Sequence, residues 1–352
     1  MKNYLSEKAK NLKPYTAGLQ PKESGWIKLN TNENPYPPSP KVFNAIKDAD
    51  ISSLRLYSDC DSNELREAIA RVAGVSAENI FVGNGSDEVL ALAYQAFFMD
   101  KDNILTPSIS YGFYSVWCDF YDVKAKYLPL NEDLTINLSD YVNGNGVIIA
   151  NPNAPTGLAL TFEEVEKIVT NNPNGVVIID EAYIDFSNVK SAIELIGKYD
   201  NLLIVRTFSK SHSLAGLRVG YAAGNRELIE VLHQTKDSFN AYPLDILAQI
   251  GAKAAIEDVE YFDETRNRII RTRDNTEAKL LDLGYKTTDS QTNFLFMEAE
   301  NAKEMFEYLL ENKILVRYWA IPLISKYLRI SVGTENEMEV LVKCIEKQTK
   351  RK

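Results

Sequence analysis

Lys210 lies in the run Arg206-Thr207-Phe208-Ser209-Lys210-Ser211-His212-Ser213-Leu214-Ala215-Gly216-Leu217-Arg218. It follows an apolar stretch, Leu202-Leu203-Ile204-Val205, and precedes an arginine by eight residues. Lysines are seldom buried unless paired or functional. An amine in such a place is suited to attack a carbonyl and form a Schiff base. Thr207 and Ser209 add hydroxyls, and Arg218 adds a two-pronged donor for a phosphate. Taken alone, the run would also suit a surface lysine in a serine-rich loop, the weaker of the two readings.

The ends of the other apolar runs narrow the choice. Ile80-Phe81-Val82 is followed by Gly83-Asn84-Gly85-Ser86-Asp87-Glu88. A glycine turn opening a helix there would aim the N–H groups of Gly85, Ser86 and Asp87 at an anion. An ordinary capped turn has the same composition, and the spacing is not that of a P-loop. Val176-Val177-Ile178-Ile179 ends in Asp180-Glu181-Ala182-Tyr183. A carboxylate closing an apolar strand is costly without a partner. It is either a helix cap or the partner of a ring N–H. Val147-Ile148-Ile149-Ala150 leads into Asn151-Pro152-Asn153-Ala154-Pro155-Thr156-Gly157, which could be plain turn chemistry. Tyr111, just past Ile104-Leu105, could stack on a ring. Together these groups describe one ligand, with a phosphate, a ring nitrogen, a phenolic oxygen for Tyr183 and an aldehyde for Lys210. Pyridoxal 5′-phosphate carries all four.

Short, continuous, β-branched runs separated by helical periods predict strands buried on both faces of a mostly parallel sheet. Helices are expected over 62–72, 87–98, 162–170 and 190–198. Residues 1–30 read as an arm packing with a small domain, 31–240 as a large α/β domain that binds the cofactor, and 241–352 as a small α+β domain. The small domain carries helices at 259–282, 302–311 and 335–348 and strands at 292–297 and 327–332. Four prolines between Thr31 and Pro40 rule out regular structure there.

Composition excludes other classes. A net charge of −10 without a long basic run argues against nucleic acid. Two histidines and no CxxC argue against a metal site. Three scattered cysteines suit a reducing compartment. No apolar run is long enough for a membrane span, and Met1-Lys2-Asn3-Tyr4-Leu5 lacks a signal-peptide pattern. A cytoplasmic protein is expected.

Asn-Pro-x-x-Pro-Thr-Gly, Asp-Glu-Ala-Tyr and Ser-Lys-x-x-x-Leu-Ala-Gly-Leu-Arg-x-Gly, in that order, resemble the fold-type I pyridoxal-phosphate aminotransferases over nearly the whole chain. Within them the chain is similar to the histidinol-phosphate aminotransferase family. That likeness rests on Lys13-Pro14-Tyr15, Leu29-Asn30-Thr31-Asn32-Glu33-Asn34-Pro35, Leu56-Tyr57, Asp180-Glu181-Ala182-Tyr183-Ile184-Asp185-Phe186 and Leu328-Arg329-Ile330-Ser331-Val332-Gly333. The resemblance implies a ping-pong transamination between L-histidinol phosphate and 2-oxoglutarate in histidine biosynthesis, giving imidazole acetol phosphate and glutamate. It implies that Lys210 binds the cofactor and moves the substrate's Cα proton. Asp180 pairs with the ring nitrogen, Tyr183 bonds the ring oxygen and Tyr111 stacks. It also implies a homodimer in which Tyr57 reaches the partner's site. Tyr15, Asn32, Arg317 and Arg329 would bind substrate. Where the family has asparagine before Pro-Thr-Gly, this chain has Ala154, and Asn153 is the candidate to substitute. Rival activities sharing the cofactor residues are an aromatic amino-acid aminotransferase and a threonine-phosphate decarboxylase.

Overall fold

The computed structural model describes residues 4–350. The first three residues of the expected arm and the last two of the expected small domain lie outside them. In chain order the strands are β1 (Ile27–Lys28), β2 (Ile80–Gly83), β3 (Ile104–Pro107), β4 (Ala125–Leu128), β5 (Gly146–Ala150), β6 (Val176–Asp180), β7 (Leu202–Thr207), β8 (Gly220–Gly224), β9 (Lys286–Thr287), β10 (Phe294–Glu298), β11 (Ile314–Leu315), β12 (Arg317–Tyr318) and β13 (Tyr327–Ser331). The helices are α1 (Glu7–Asn11), α2 (Pro40–Lys47), α3 (Asn63–Ala73), α4 (Gly85–Ala93), α5 (Phe113–Phe120), α6 (Phe162–Asn171), α7 (Arg226–Phe239), α8 (Ile246–Glu257), α9 (Val259–Asp282), α10 (Ala302–Glu311) and α11 (Glu335–Thr349).

A seven-stranded sheet runs β2-β8-β7-β6-β5-β3-β4. Its pairings are parallel except those of β8, which lies antiparallel to both β2 and β7. Its central strands are buried along their length, as near-continuous apolar runs covered on both faces should be. Full burial of each such Val, Leu or Ile is worth roughly 1.5–3 kcal/mol. The edge strand β4 and helix α5 have no counterpart in the sequence reading. Ala125-Lys126-Tyr127 is partly or fully exposed, so β4 lacks the continuous apolar signature that revealed its neighbours.

A second sheet runs β12-β13-β10-β9, antiparallel throughout, with α10 and α11 packed on the same apolar cluster as Leu295, Leu328 and Ile330. Thr161 and Thr334 start α6 and α11 with reciprocal capping boxes to Glu164 and Glu337, each worth about 1 kcal/mol. The arm joins this unit through β1, which pairs with β11.

Two expected helices come out differently. The one over 87–98 starts at Gly85 and widens into a π turn over Tyr94–Phe98, which buries Tyr94, Phe97 and Phe98 together. The stretch 190–198 forms only a 3-10 turn, Ala192–Leu195. The Glu181 carboxylate takes the Ala192 N–H at 2.7 Å and the Ser191 hydroxyl at 2.5 Å, so the chain is pinned where a helix would begin.

Candidate active site

Strands β2, β3, β5, β6 and β7 all end at one edge of the large sheet, where β8 begins. Gly83 of β2 and Thr207 of β7 both register against Gly220. Open α/β sheets bind ligands at such an edge. A cavity of about 190 Å³ opens there, lined by Ser86, Asp87, Tyr111, Asp180, Tyr183, Thr207, Ser209, Lys210 and Arg218. Thr31, Glu33, Ala150, Ala154, Ala182 and Ala215 complete its wall.

The Lys210 amine donates to the Thr31 carbonyl at 3.2 Å and sits 5.9 Å from the centre of the Tyr183 ring. Asp180 closes β6 and is buried. Its Oδ2 accepts from the Tyr114 hydroxyl at 2.8 Å, and its Oδ1 accepts from the Ala182 N–H at 3.1 Å. Burial pushes its pKa up to about 6 despite both bonds, and the charge of Asp87 adds to the rise. The site thus holds a carboxylate short of a cationic partner. Tyr183 accepts from the Asn32 side-chain amide at 3.0 Å.

At the other end, Gly85 opens α4 with φ +81°, and a Cβ there would meet the Arg218 guanidinium at 2.7 Å. Gly220 lets the chain pass the Ser86 N–H where a Cβ would come within 2.2 Å of that nitrogen. Two glycines therefore bring Arg218 and the start of α4 together. Asp87 accepts from Tyr111 at 2.8 Å and from Arg218 at 3.2 Å, which steers both side chains. Burial, followed by the charge of Asp87, holds the Tyr111 phenol protonated far above its ordinary range.

The substrate side is built by the second sheet and the arm. Arg329 donates to the Asn30 carbonyl at 2.9 Å, and its guanidinium lies 5.4 Å from the Phe294 ring centre and 5.2 Å from that of Trp319. Its Nε is buried with no partner among the described residues. Arg317 faces it across the ladder. Tyr15 stacks on Phe113 at 4.3 Å and tilts against Tyr111 at 6.4 Å.

Three expectations need correction or qualification. Asn153 does not line the cavity. Its amide donates to the Ile109 carbonyl at 3.2 Å and to the Thr156 hydroxyl at 3.1 Å, and its oxygen accepts from Ser110 at 2.7 Å. The loop has consumed it, and Ala154 presents only a methyl group. Asn32, expected at the substrate, donates its side-chain amide to the Tyr183 hydroxyl and accepts from the Ser331 hydroxyl, so it orients Tyr183. Tyr57 stands away from this chain's own cavity, 82% exposed and stacked on Tyr242 at 4.6 Å. Tyr114, Thr31 and Glu33 escaped the sequence reading. The first had a faint signal, lying one helical turn beyond Tyr111.

The donor set fits pyridoxal phosphate. A lysine amine, a buried carboxylate, a phenol and an arginine beside a helix N-terminus match its aldehyde, ring nitrogen, ring oxygen and phosphate. Fold and site define an α/β enzyme of the kind that holds a cofactor at the strand ends through a lysine. The description of the family model that matches residues 24–345 is aminotransferase class I and II, and the chain belongs to that family. It is 48% identical over 348 residues to a histidinol-phosphate aminotransferase of Brachyspira hyodysenteriae, covering 98% of each chain. It is 45% identical over 345 residues to one of Lactococcus lactis subsp. cremoris, covering 97% of each. The fold also matches a histidinol-phosphate aminotransferase from Sinorhizobium meliloti solved in complex with pyridoxal-5′-phosphate. That match has TM-score 0.85 and 24% identity, covering 92% of this chain and 91% of the other.

Proposed function

We propose that the protein is a histidinol-phosphate aminotransferase, moving the amine of L-histidinol phosphate to 2-oxoglutarate with pyridoxal phosphate bound at Lys210. The observation that carries this reading is the pair Arg317 and Arg329, two arginines set across one ladder, with Arg329 in electrostatic reach of the cavity-lining Tyr183 and Tyr111. Neither has a carboxylate within ion-pair distance among the described residues. Such a pair suits a phosphate monoester and also accepts a carboxylate. Identities of 48% and 45% to the two named relatives support the same reading.

Pyridoxal phosphate supplies an aldehyde for the donor's amine and a ring that draws electrons from its Cα. The Lys210 amine, held by the Thr31 carbonyl with no ion pair among the described residues, would take the Cα proton as general base. The Asp180 carboxylate would keep a proton on the ring nitrogen. Tyr183, aimed by Asn32, would donate to the ring oxygen. Arg218, Ser209 and the N–H groups at the start of α4 would hold the phosphate. Imidazole acetol phosphate and glutamate are the products.

The assembly we infer is a homodimer. Phe43, Ile51, Leu54, Leu56 and Tyr57 are large apolar side chains left exposed within residues 43–57, as an interface would leave them, and Tyr57 would complete the partner's site. Light scattering tests this, and a monomer at working concentration would count against it. Three unpaired cysteines suit the cytoplasm. No helix among the described residues is long and apolar enough to cross a membrane. As for domains, α8 packs in the core beneath the large sheet with Val42 and Leu65. We therefore place the start of the small domain at α9 rather than at residue 241.

The test is a side-by-side assay of the purified protein with histidinol phosphate, phenylalanine and threonine phosphate, with 2-oxoglutarate present. Glutamate formed fastest from histidinol phosphate supports the reading. Preference for phenylalanine, or carbon dioxide released from threonine phosphate, would replace it with an aromatic aminotransferase or a decarboxylase.

A further inference from the structure

Lys210 does its work from an awkward piece of backbone. It lies beyond the end of β7, in a bend with no helix or sheet ladder to set its direction. Around it the chain makes few main-chain bonds. Leu214 N–H reaches Phe208 at 3.0 Å, and Ser213 N–H reaches the Lys210 carbonyl only at 3.5 Å. A general base must be held within a fraction of an ångström to act, so something else must fix this segment.

The Asn34 side chain does so from outside the sheet. Its amide nitrogen donates to the Lys210 carbonyl at 3.0 Å and to the Ser211 carbonyl at 3.1 Å. Its oxygen accepts from the Tyr36 N–H at 2.9 Å, which locks the amide in the orientation that aims both hydrogens at the lysine backbone. Pro35, Pro37 and Pro38 stiffen the stretch that carries it. On the other side, the Ser211 hydroxyl donates to Asp185 at 2.5 Å, and Asp185 is paired with Arg206.

We propose that Asn34 is a positioning residue for the reaction, clamping the Lys210–Ser211 backbone against Ser211 and Asp185 so that the freed lysine amine stays over the donor's Cα. The clamp rests on Lys210 being the reactive lysine. Asn34 does not line the cavity.

The experiment uses the cofactor-loaded enzyme with Asn34→Ala and Asn34→Asp. Both lack the donor, and only the aspartate keeps the acceptor for Tyr36. Losing two neutral hydrogen bonds that orient the base predicts a fall in kcat on the order of tenfold in both, with KM little changed. The pH midpoint of the visible band of the lysine-bound cofactor should move in both. A purely structural asparagine would lower the melting temperature and leave kcat and that midpoint alone, which would overturn the proposal. So would a change seen only in the aspartate variant, since that traces to added charge. If neither variant folds, Ser211→Ala probes the same backbone from the other side and should lower kcat in the same direction; an unchanged kcat there would overturn it. Lys210→Ala separates the two readings. If it keeps the visible band, the assignment of the lysine fails. If it loses the band while the Asn34 variants behave as wild type, only the clamp fails.

Discussion

Arg329 and Arg317 are direct cross-strand partners in β13 and β12, so two guanidinium groups share one patch with no carboxylate paired to either among the described residues. Burial lowers the pKa of Arg329, and the like charge of Arg317 lowers it further. Cations set side by side are uncomfortable without an anion. Here Asn30 and the rings of Phe294 and Trp319 supply only partial relief. An arriving dianion completes the patch.

Arg329→Lys keeps the charge and loses the planar fork. It should raise KM for both the phosphorylated donor and 2-oxoglutarate by about 10- to 100-fold, the equivalent of a lost charged hydrogen bond. Steady-state kinetics with each substrate varied in turn would show it. An effect confined to one substrate would argue against a shared anion site.

Tyr114→Phe removes the hydroxyl that holds Asp180 at 2.8 Å. With one fewer donor, the buried carboxylate should be harder still to ionise, and its grip on the ring nitrogen weaker. Cofactor affinity should drop about 3- to 15-fold, read by fluorescence or visible titration of the cofactor-free protein. An unchanged affinity would show that the Tyr114 bond is not felt at the ring.

The raised pKa of Asp180, about 6, fixes a pH dependence. Its ionised form binds the ring N–H, so cofactor affinity should fall by up to about tenfold per unit below pH 6. The sign for stability is the reverse of the usual carboxylate. A carboxyl whose folded pKa exceeds its unfolded value opposes folding once ionised, so the cofactor-free protein should lose stability as pH climbs from about 4 through about 6. Asp180→Asn should flatten both profiles, measured by titration and by thermal melts.

Gly85→Ala places a methyl group 2.7 Å from the Arg218 guanidinium at a residue with φ +81°. The strained backbone costs roughly 1–2 kcal/mol, and the arginine must move. Phosphate-end binding should weaken about tenfold while the folded protein survives, because a flexible side chain can yield. Gly220→Ala meets the Ser86 backbone nitrogen at 2.2 Å, which cannot yield, and should cost the fold itself. Equal behaviour of the two variants would contradict this distinction.

How much of this was legible in the sequence depended on where each residue sits. Lys210, Asp180 and Ser86 follow apolar strand runs, and ligands gather at strand ends, so their meeting could be anticipated. Tyr114 bonds Asp180 from 66 residues away, on a helix whose short Phe113–Phe120 span gave no clear period. Asn153 shows the opposite failure. Its type suited the ring oxygen, but its turn neighbours Ser110, Ile109 and Thr156 claimed every polar atom. The 30–34 strap was legible as a motif, but its partners were not, because irregular backbone has no periodicity. Its bonds to Arg329, Lys210 and Tyr183 arise only in three dimensions.

The most direct single test is the absorbance spectrum and turnover of Lys210→Ala loaded with pyridoxal phosphate. The protein should lose the visible band of the lysine-bound cofactor and nearly all glutamate formation from histidinol phosphate and 2-oxoglutarate, while remaining folded. A variant that keeps the band and turns over like the unchanged enzyme would contradict the central place given to Lys210.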